Sequence, residues 1–289
     1  MLYVMTTDEE LQLAVDALGE SVLVVGAGAV GREVVSLVAD SDLLATDTAD
    51  SPDAVILAVD VAQAALESPP DIPHIPDAPV SLAAVTVTDV PTKGERAFLR
   101  SLTDSVGTIV LVSGDGVNDL IDAVATLVSI ARDSGVVNID LADVQTVFRS
   151  TDIAALGVGS DDRGHPADAV RNAFHDVPAG IETDSASGVI VDVLGTPQMT
   201  VGDISDAVST VRERVGPDAH VIWGGSVDES VEQTLEVRLI LAGVKNARVA
   251  PGDRCPRCET RLSTYALGDR TMPTCERCGF AGVSVRLRE

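Results

Sequence analysis

The sequence predicts an α/β protein. It reads as a parallel, doubly wound sheet, then a central helix leading into an α+β unit, then a small metal-bound tail. Three observations carry this. Short apolar strands alternate with helical stretches through the first half, a glycine-rich turn joins the first clear strand to a helix, and all four cysteines lie in the tail as two Cys-x-x-Cys pairs. With 289 residues, 45% of them apolar, the chain can bury one large or two modest cores, which excludes disorder as its main state.

After an acidic opening helix over 8–17, residues 21–25 form a buried strand, followed at once by Gly26-Ala-Gly28-Ala-Val-Gly31 and an apolar helix through Val38. Such a turn aims backbone N–H groups and the positive end of a helix at an anion. Asp47 lies 21 residues after Gly26, where a dinucleotide fold places the carboxylate for a ribose hydroxyl. A mononucleotide, a dinucleotide, or a turn kept only for packing all remain open from this segment. Further strands are expected at 43–46, 54–59, 83–88 and 108–112, with a helix at 94–102 between the last two. A long helix over 118–131 ends at Asp133-Ser-Gly135. Beyond it, strands at 186–194, 219–224 and 235–242 and two helices make an α+β layer beside the first domain.

Acidic residues outnumber basic ones 45 to 20, for a net charge of −25; 31 of the acids are Asp, and Lys93 and Lys245 are the two lysines. A surface of this kind repels nucleic acid and anionic lipid, and it fits a halophilic, acidic proteome adapted to high intracellular salt. The longest apolar runs, such as 108–112 and 237–244, fall far short of the roughly 20 residues of a membrane span. The acidic N-terminus lacks the order of a signal peptide, so a cytoplasmic protein is expected.

Residues 248–289 are a separate electrostatic object, with eight Arg against five acids. They hold Cys255-Pro-Arg-Cys258 and, after sixteen residues, Cys275-Glu-Arg-Cys278. Two such knuckles bring four thiolates onto one tetrahedral zinc, and a closed four-cysteine site is structural. Two disulfides are the competing reading, disfavoured in a reducing compartment. So small a module lacks a core of its own, and the metal would supply its stability.

The middle of the chain carries a resemblance. After the long helix comes Val-Val-Asn138-Ile-Asp140-Leu-Ala-Asp143-Val-Gln-Thr-Val-Phe148, and then Leu156-Gly-Val-Gly-Ser160, Ser187-Gly-Val-Ile-Val-Asp192 and Ala219-His-Val-Ile-Trp-Gly-Gly-Ser-Val-Asp228. From 105 to 245 the chain resembles the FtsZ branch of the tubulin superfamily, whose central helix leads into an Asn-x-Asp-x-x-Asp loop. The resemblance implies a degenerate FtsZ-like nucleotide domain over 1–135, an activation-type domain over 136–248 and an appended zinc ribbon over 249–289. It would match Gly26, Gly28 and Gly31 to the first phosphate loop, and Asn118 or Asp119 to the polar site for guanine. In such filaments the Asn138, Asp140 and Asp143 loop would enter the nucleotide pocket of the next subunit, where its carboxylates position the attacking water. A turn merely capped by these residues is the structural alternative.

The chain also departs from that family. Arg32 and Glu33 stand where asparagines usually follow the first loop. The strand at 54–59 should lead into a Gly-Gly-Gly-Thr-Gly-Thr-Gly loop but continues Val59-Asp60-Val-Ala-Gln-Ala-Ala-Leu-Glu67, with no glycine. Branched and acidic residues make no nest of N–H groups for a phosphate, so GTP or GDP binding is expected to be weak or absent, and hydrolysis with it. The expected function is an FtsZ-like cytoskeletal or cell-division accessory, partnered by an FtsZ-type filament. An NAD(P)-dependent enzyme reading Asp47 is one alternative. A ribbon-led module gripping an acidic protein or nucleic acid through Arg254, Arg257, Arg261, Arg270, Arg277, Arg286 and Arg288 is the other.

Overall fold

A computed structural model describes residues 21–39, 52–65, 72–86, 93–114, 116–132, 137–149, 151–162, 164–228 and 235–246, with 252, 254, 255, 260–267 and 270–277 of the tail. The expected helix at 8–17, the strand at 43–46, Asp47, Cys258 and Cys278 lie outside the described residues.

The first half alternates as the apolar runs require. β1 (Val22–Ala27) leads to α1 (Gly28–Ala39), and β2 (Ala54–Asp60) to a single turn, α2 (Val61–Ala64). β3 (Val80–Thr86) leads to α3 (Lys93–Thr103), and β4 (Thr108–Val112) to the long α4 (Val117–Arg132). Every residue of β2 and β4 is buried, as expected of parallel strands covered on both faces. β3 begins three residues earlier than the sequence suggests, because Val80 pairs with Ala54 at the start of β2. Along α4, Leu120, Val124, Leu127, Val128 and Ala131 are buried at helical spacing.

The second half runs α5 (Leu141–Phe148), β5 (Ile153–Asp161), α6 (Pro166–Asp176), β6 (Ile181–Glu182), β7 (Gly188–Gly195), α7 (Val201–Arg212), β8 (His220–Val227), β9 (Leu235–Ala242) and β10 (Lys245–Asn246). Its main strands are not a separate layer. Ile109 to Leu111 of β4 pair in parallel with Ile153 to Ala155 of β5, and the sheet continues across the long helix. Among the described residues one eight-stranded sheet has the order β1-β2-β3-β4-β5-β9-β7-β8. β9 is antiparallel to both its neighbours; the remaining pairs are parallel.

Helices cover both faces. On one, Val34 and Val38 of α1, Leu120 and Leu127 of α4, and Leu141 and Phe148 of α5 pack on Ile56, Val110 and Ile240. On the other, Leu99 and Leu102 of α3, Val170 and Ala173 of α6, and Ile204 and Val211 of α7 pack on Leu57, Val191 and Leu239. Each large aliphatic side chain so buried contributes about 1.5–3 kcal/mol. In the tail, β11 (Ser263–Leu267) and β12 (Arg270–Thr274) form an antiparallel hairpin.

Candidate functional site

The glycine turn joins β1 to α1 with α1 pressed onto two strands. A Cβ on Gly26 would collide with the Gly31 carbonyl, and one on Gly31 with the carbonyl of Ala58 in β2. Gly28 opens the helix at φ 70°, in the left-handed region that favours glycine. Close packing alone therefore demands Gly26 and Gly31, whether or not an anion sits at the helix start. Arg32 and Glu33 are both exposed there.

At the C-terminal end of β2, Asp60 is buried, with 6% of its surface exposed. Its Oδ1 accepts from the Gln63 N–H at 2.8 Å, and its Oδ2 accepts from the Thr86 hydroxyl at 3.3 Å. A carboxylate thus caps α2 at the strand end where a phosphate-binding protein offers unpaired N–H groups to its ligand.

Asn118 and Asp119 are exposed in the first turn of α4. Asp119 Oδ2 accepts from the Gly116 N–H at 3.1 Å and so holds the turn before its own helix. At the other end of α4, Val137 makes two backbone hydrogen bonds with Gly225 of β8, at 3.1 and 3.0 Å. Ile139 is buried, and it fits because position 224 has no side chain: a Cβ there would lie 2.6 Å from Ile139. Asn138, between these anchors, and Asp140, just beyond them, are exposed.

Asp140 and Asp143 form a capping box on α5. Asp140 Oδ1 accepts from the Asp143 N–H at 2.8 Å, and Asp143 Oδ2 accepts from the Asp140 N–H at 3.4 Å. The box employs one oxygen of each carboxylate and leaves the second as an acceptor. The loop is both a helix cap and an exposed, acidic, rigidly anchored feature.

Sequence reasoning missed a cavity of about 760 Å³ between α4 and the ends of β5, β7, β8 and β9. Asp119, Asp122, Asp176, Asp228 and Glu236 line it, with Arg238 as its described base. Arg238 of β9 donates to Glu236 Oε1 at 2.7 Å and to the Ser129 hydroxyl of α4 at 3.0 Å, and lies 3.5 Å from Asp192 of β7. Its side chain is 13% exposed, so these bonds work in a poorly solvated place and tie the central helix to the second half of the sheet. Although Asp122 is exposed, partial desolvation against the cavity wall raises its carboxyl above the ordinary value, helped by the like charges of Asp119 and Glu236. The signal available in the sequence was the alternating Glu236-Val-Arg238-Leu, whose polar positions face one side of a strand.

In the tail, Cys255, Leu262 and Cys275 are buried in one small cluster against Ala179. The Cys255 N–H donates to the Thr260 carbonyl at 2.8 Å, and the backbones of Arg254 and Arg261 pair as an isolated antiparallel β-bridge. The β11–β12 hairpin returns the chain so that Cys275 follows the strand paired with Ser263. One cysteine of each pair is thus brought to the same place, which fits a four-thiolate zinc site.

A continuous sheet with helices on both faces, whose long helix runs from a parallel half into a half containing an antiparallel strand, defines the FtsZ/tubulin class of fold. Residues 152–245 match the FtsZ family, C-terminal domain. The chain is 34% identical to cell division protein FtsZ 1 of Methanocaldococcus jannaschii over 128 residues, 44% of this chain and 35% of the relative. To FtsZ 1 of Halobacterium salinarum strain R1 it is 30% identical over 151 residues, 51% of this chain and 38% of the relative. The match therefore spans little more than a third of the length of these curated relatives. The solved structure of an empty FtsZ dimer of M. jannaschii superposes with a TM-score of 0.65 at 21% identity, covering 84% of this chain and 97% of that one, a likeness of fold. Residues 152–245 thus resemble the C-terminal domain of FtsZ in sequence, and the chain as a whole shares the FtsZ type of fold.

Proposed function

We propose that this protein is an FtsZ-like cytoskeletal or cell-division accessory that does not hydrolyse GTP and that modulates or caps FtsZ-type filaments. The observation that carries the reading is an asymmetry between two sites. Where a phosphate loop would follow β2, the buried Asp60 carboxylate already occupies the N–H of Gln63 and the hydroxyl of Thr86. At the far end of α4, the Asn138–Asp143 loop is anchored, with Asn138 and Asp140 exposed and Asp143 half-buried. A subunit of this kind can insert its loop into a neighbour yet offers, among the described residues, no proper receiving pocket. Head-to-tail growth needs both surfaces on every subunit, so it would end a filament rather than extend one.

GTP affinity is expected to be weak or absent, since a helix dipole and a few N–H groups must hold a polyanion on a chain of net charge −25. The division into a degenerate nucleotide domain over 1–135, an activation-type domain over 136–248 and a ribbon over 249–289 belongs to the same reading. So does structural zinc on Cys255, Cys258, Cys275 and Cys278, supported by the burial of Cys255 and Cys275 together. The metal would cross-link the two knuckles and take no part in chemistry.

The test is co-sedimentation with FtsZ from the same cell at high KCl, with and without GTP, alongside a GTPase assay of the pure protein. The wild type should show no turnover and should associate with the partner. Replacing both Asp140 and Asp143 by Ala should weaken association, or its effect on the partner's GTPase rate, by about tenfold or more, as expected when a central contact is removed. Steady turnover abolished by Asp140→Ala, or equal association of wild type and double variant, would show the reading to be wrong.

A further inference from the structure

A groove of about 290 Å³ lies between α6, the turn at 177–180, β6 and the segment just beyond α7. Its floor is apolar: Val177 and Ile181 are buried and the Phe174 ring is half-buried. Its rim carries Arg171, His175 and Arg214, all exposed. The Arg214 guanidinium carbon stands 5.4 Å from the centroid of the Phe174 ring, a cation–π arrangement that holds it over the floor. Arg171 reaches Asp168 through one nitrogen, Nη1, and a guanidinium has further donors to offer.

The charge of this groove runs against that of the molecule. Acids outnumber bases 45 to 20 along the chain, yet none of the described residues lining the groove is acidic. The larger cavity beside α4 is the opposite, lined by five carboxylates and one arginine. Helix-dipole compensation accounts for His175 in the last turn of α6 and for Arg214 just past α7, each taken singly. It does not account for their meeting, or for Arg171 in the middle of α6. Ala179 lines the groove and also packs on the Cys255, Leu262 and Cys275 cluster, so the arginine-rich tail borders it.

We propose that this groove docks an acidic peptide segment of a partner protein, with an apolar side chain on Phe174 and Ile181 and carboxylates on Arg171 and Arg214. An isolated small anion would meet only the rim, against the repulsion of the whole molecule. A peptide adds contact with the apolar floor, which salt does not screen, while carboxylates in direct contact with guanidinium survive a Debye length of about 3 Å at 1 M salt. The proposal does not depend on the filament reading, because it uses neither the Asn138–Asp143 loop nor the Asp60 end of the sheet.

The experiment is fluorescence anisotropy of a short labelled peptide alternating Asp and Leu, titrated with the full chain at high KCl. Saturable binding is expected, and none is expected for the same peptide with Asn in place of Asp. Arg171→Gln and Arg214→Gln should each weaken binding roughly three- to tenfold, in the range of a typical net hydrogen bond, since both side chains are exposed. Arg214→Lys should retain most of it, and Arg212→Gln, exposed on α7 but outside the groove, should change nothing. Circular dichroism melts of the variants matching the wild type would exclude misfolding as the cause. No binding by the wild type, equal loss in Arg212→Gln, an unchanged double Arg171/Arg214 variant, or occupancy by succinate or inorganic phosphate without the peptide would each overturn the proposal.

Discussion

Asp122 faces the cavity beside α4 with Asp119 and Glu236 as like-charged neighbours, and its carboxyl is held above its ordinary range. An acid whose folded value is raised stabilises the fold only while protonated. The cost of ionising it is absent below the ordinary carboxylate range and is fully present above the raised value. Asp122→Asn should therefore raise the melting temperature at neutral pH, by no more than about 1 °C because the site is exposed and screened by solvent, and the gain should vanish in acid. A pH-independent difference would point to packing instead. Asp53 has the opposite sign: its bonds to the Ser21 N–H and hydroxyl lower its value, so its contribution fades as pH falls through that lowered value. At this scale the sequence marked Asp60 as hostile to phosphate, but its burial and its bond to Thr86, 26 residues away, depend on how β2 and β3 pair. The partner of Arg238 was illegible for the same reason: Ser129 lies 109 residues distant and meets it only through the fold.

At the scale of elements, periodicity carried most of the reading. α4, α6, β4 and β9 follow apolar spacings visible in the chain, and Thr200 with Asp203 boxes the start of α7 as a local signal should. The short pieces were not visible. α2 exists because Asp60 caps it, and β6 and β10 exist because Lys245 and Asn246 reach Glu182 and Ile181 from far along the chain. The tail hairpin tests the zinc reading. Metal analysis should find about one zinc per chain, and strong chelation should melt the β11–β12 hairpin while the eight-stranded sheet persists, giving two separate transitions. Iron in place of zinc, or a tail that stays folded in chelator, would contradict it.

Among the described residues of the whole molecule, no helix is long and apolar enough to cross a membrane. Its dominant electrostatic property is self-repulsion, from a net charge of −25 spread over a body whose core is aliphatic. Lowering KCl should weaken the fold, because the Debye length grows from about 3 Å at 1 M to about 30 Å at 0.01 M and distant carboxylates begin to feel one another. A melting temperature that rose as salt was withdrawn would refute this. The parallel pairing of β1 to β4, with helices on both faces, agrees with the α/β reading, but the sequence suggested that the second half sits alongside as its own layer. Nothing local announces that β4 and β5, separated by two helices, will pair.

That pairing has a mechanical consequence. β5 and β9 are laced together from Ala154 to Asp161, and β7 and β8 over their full lengths, whereas β4 grips β5 only from Ile109 to Leu111. If the two ends of the sheet were pulled in opposite directions, the tear would start at those few rungs. The Arg238 bond to Ser129 would be the strut spanning the rip.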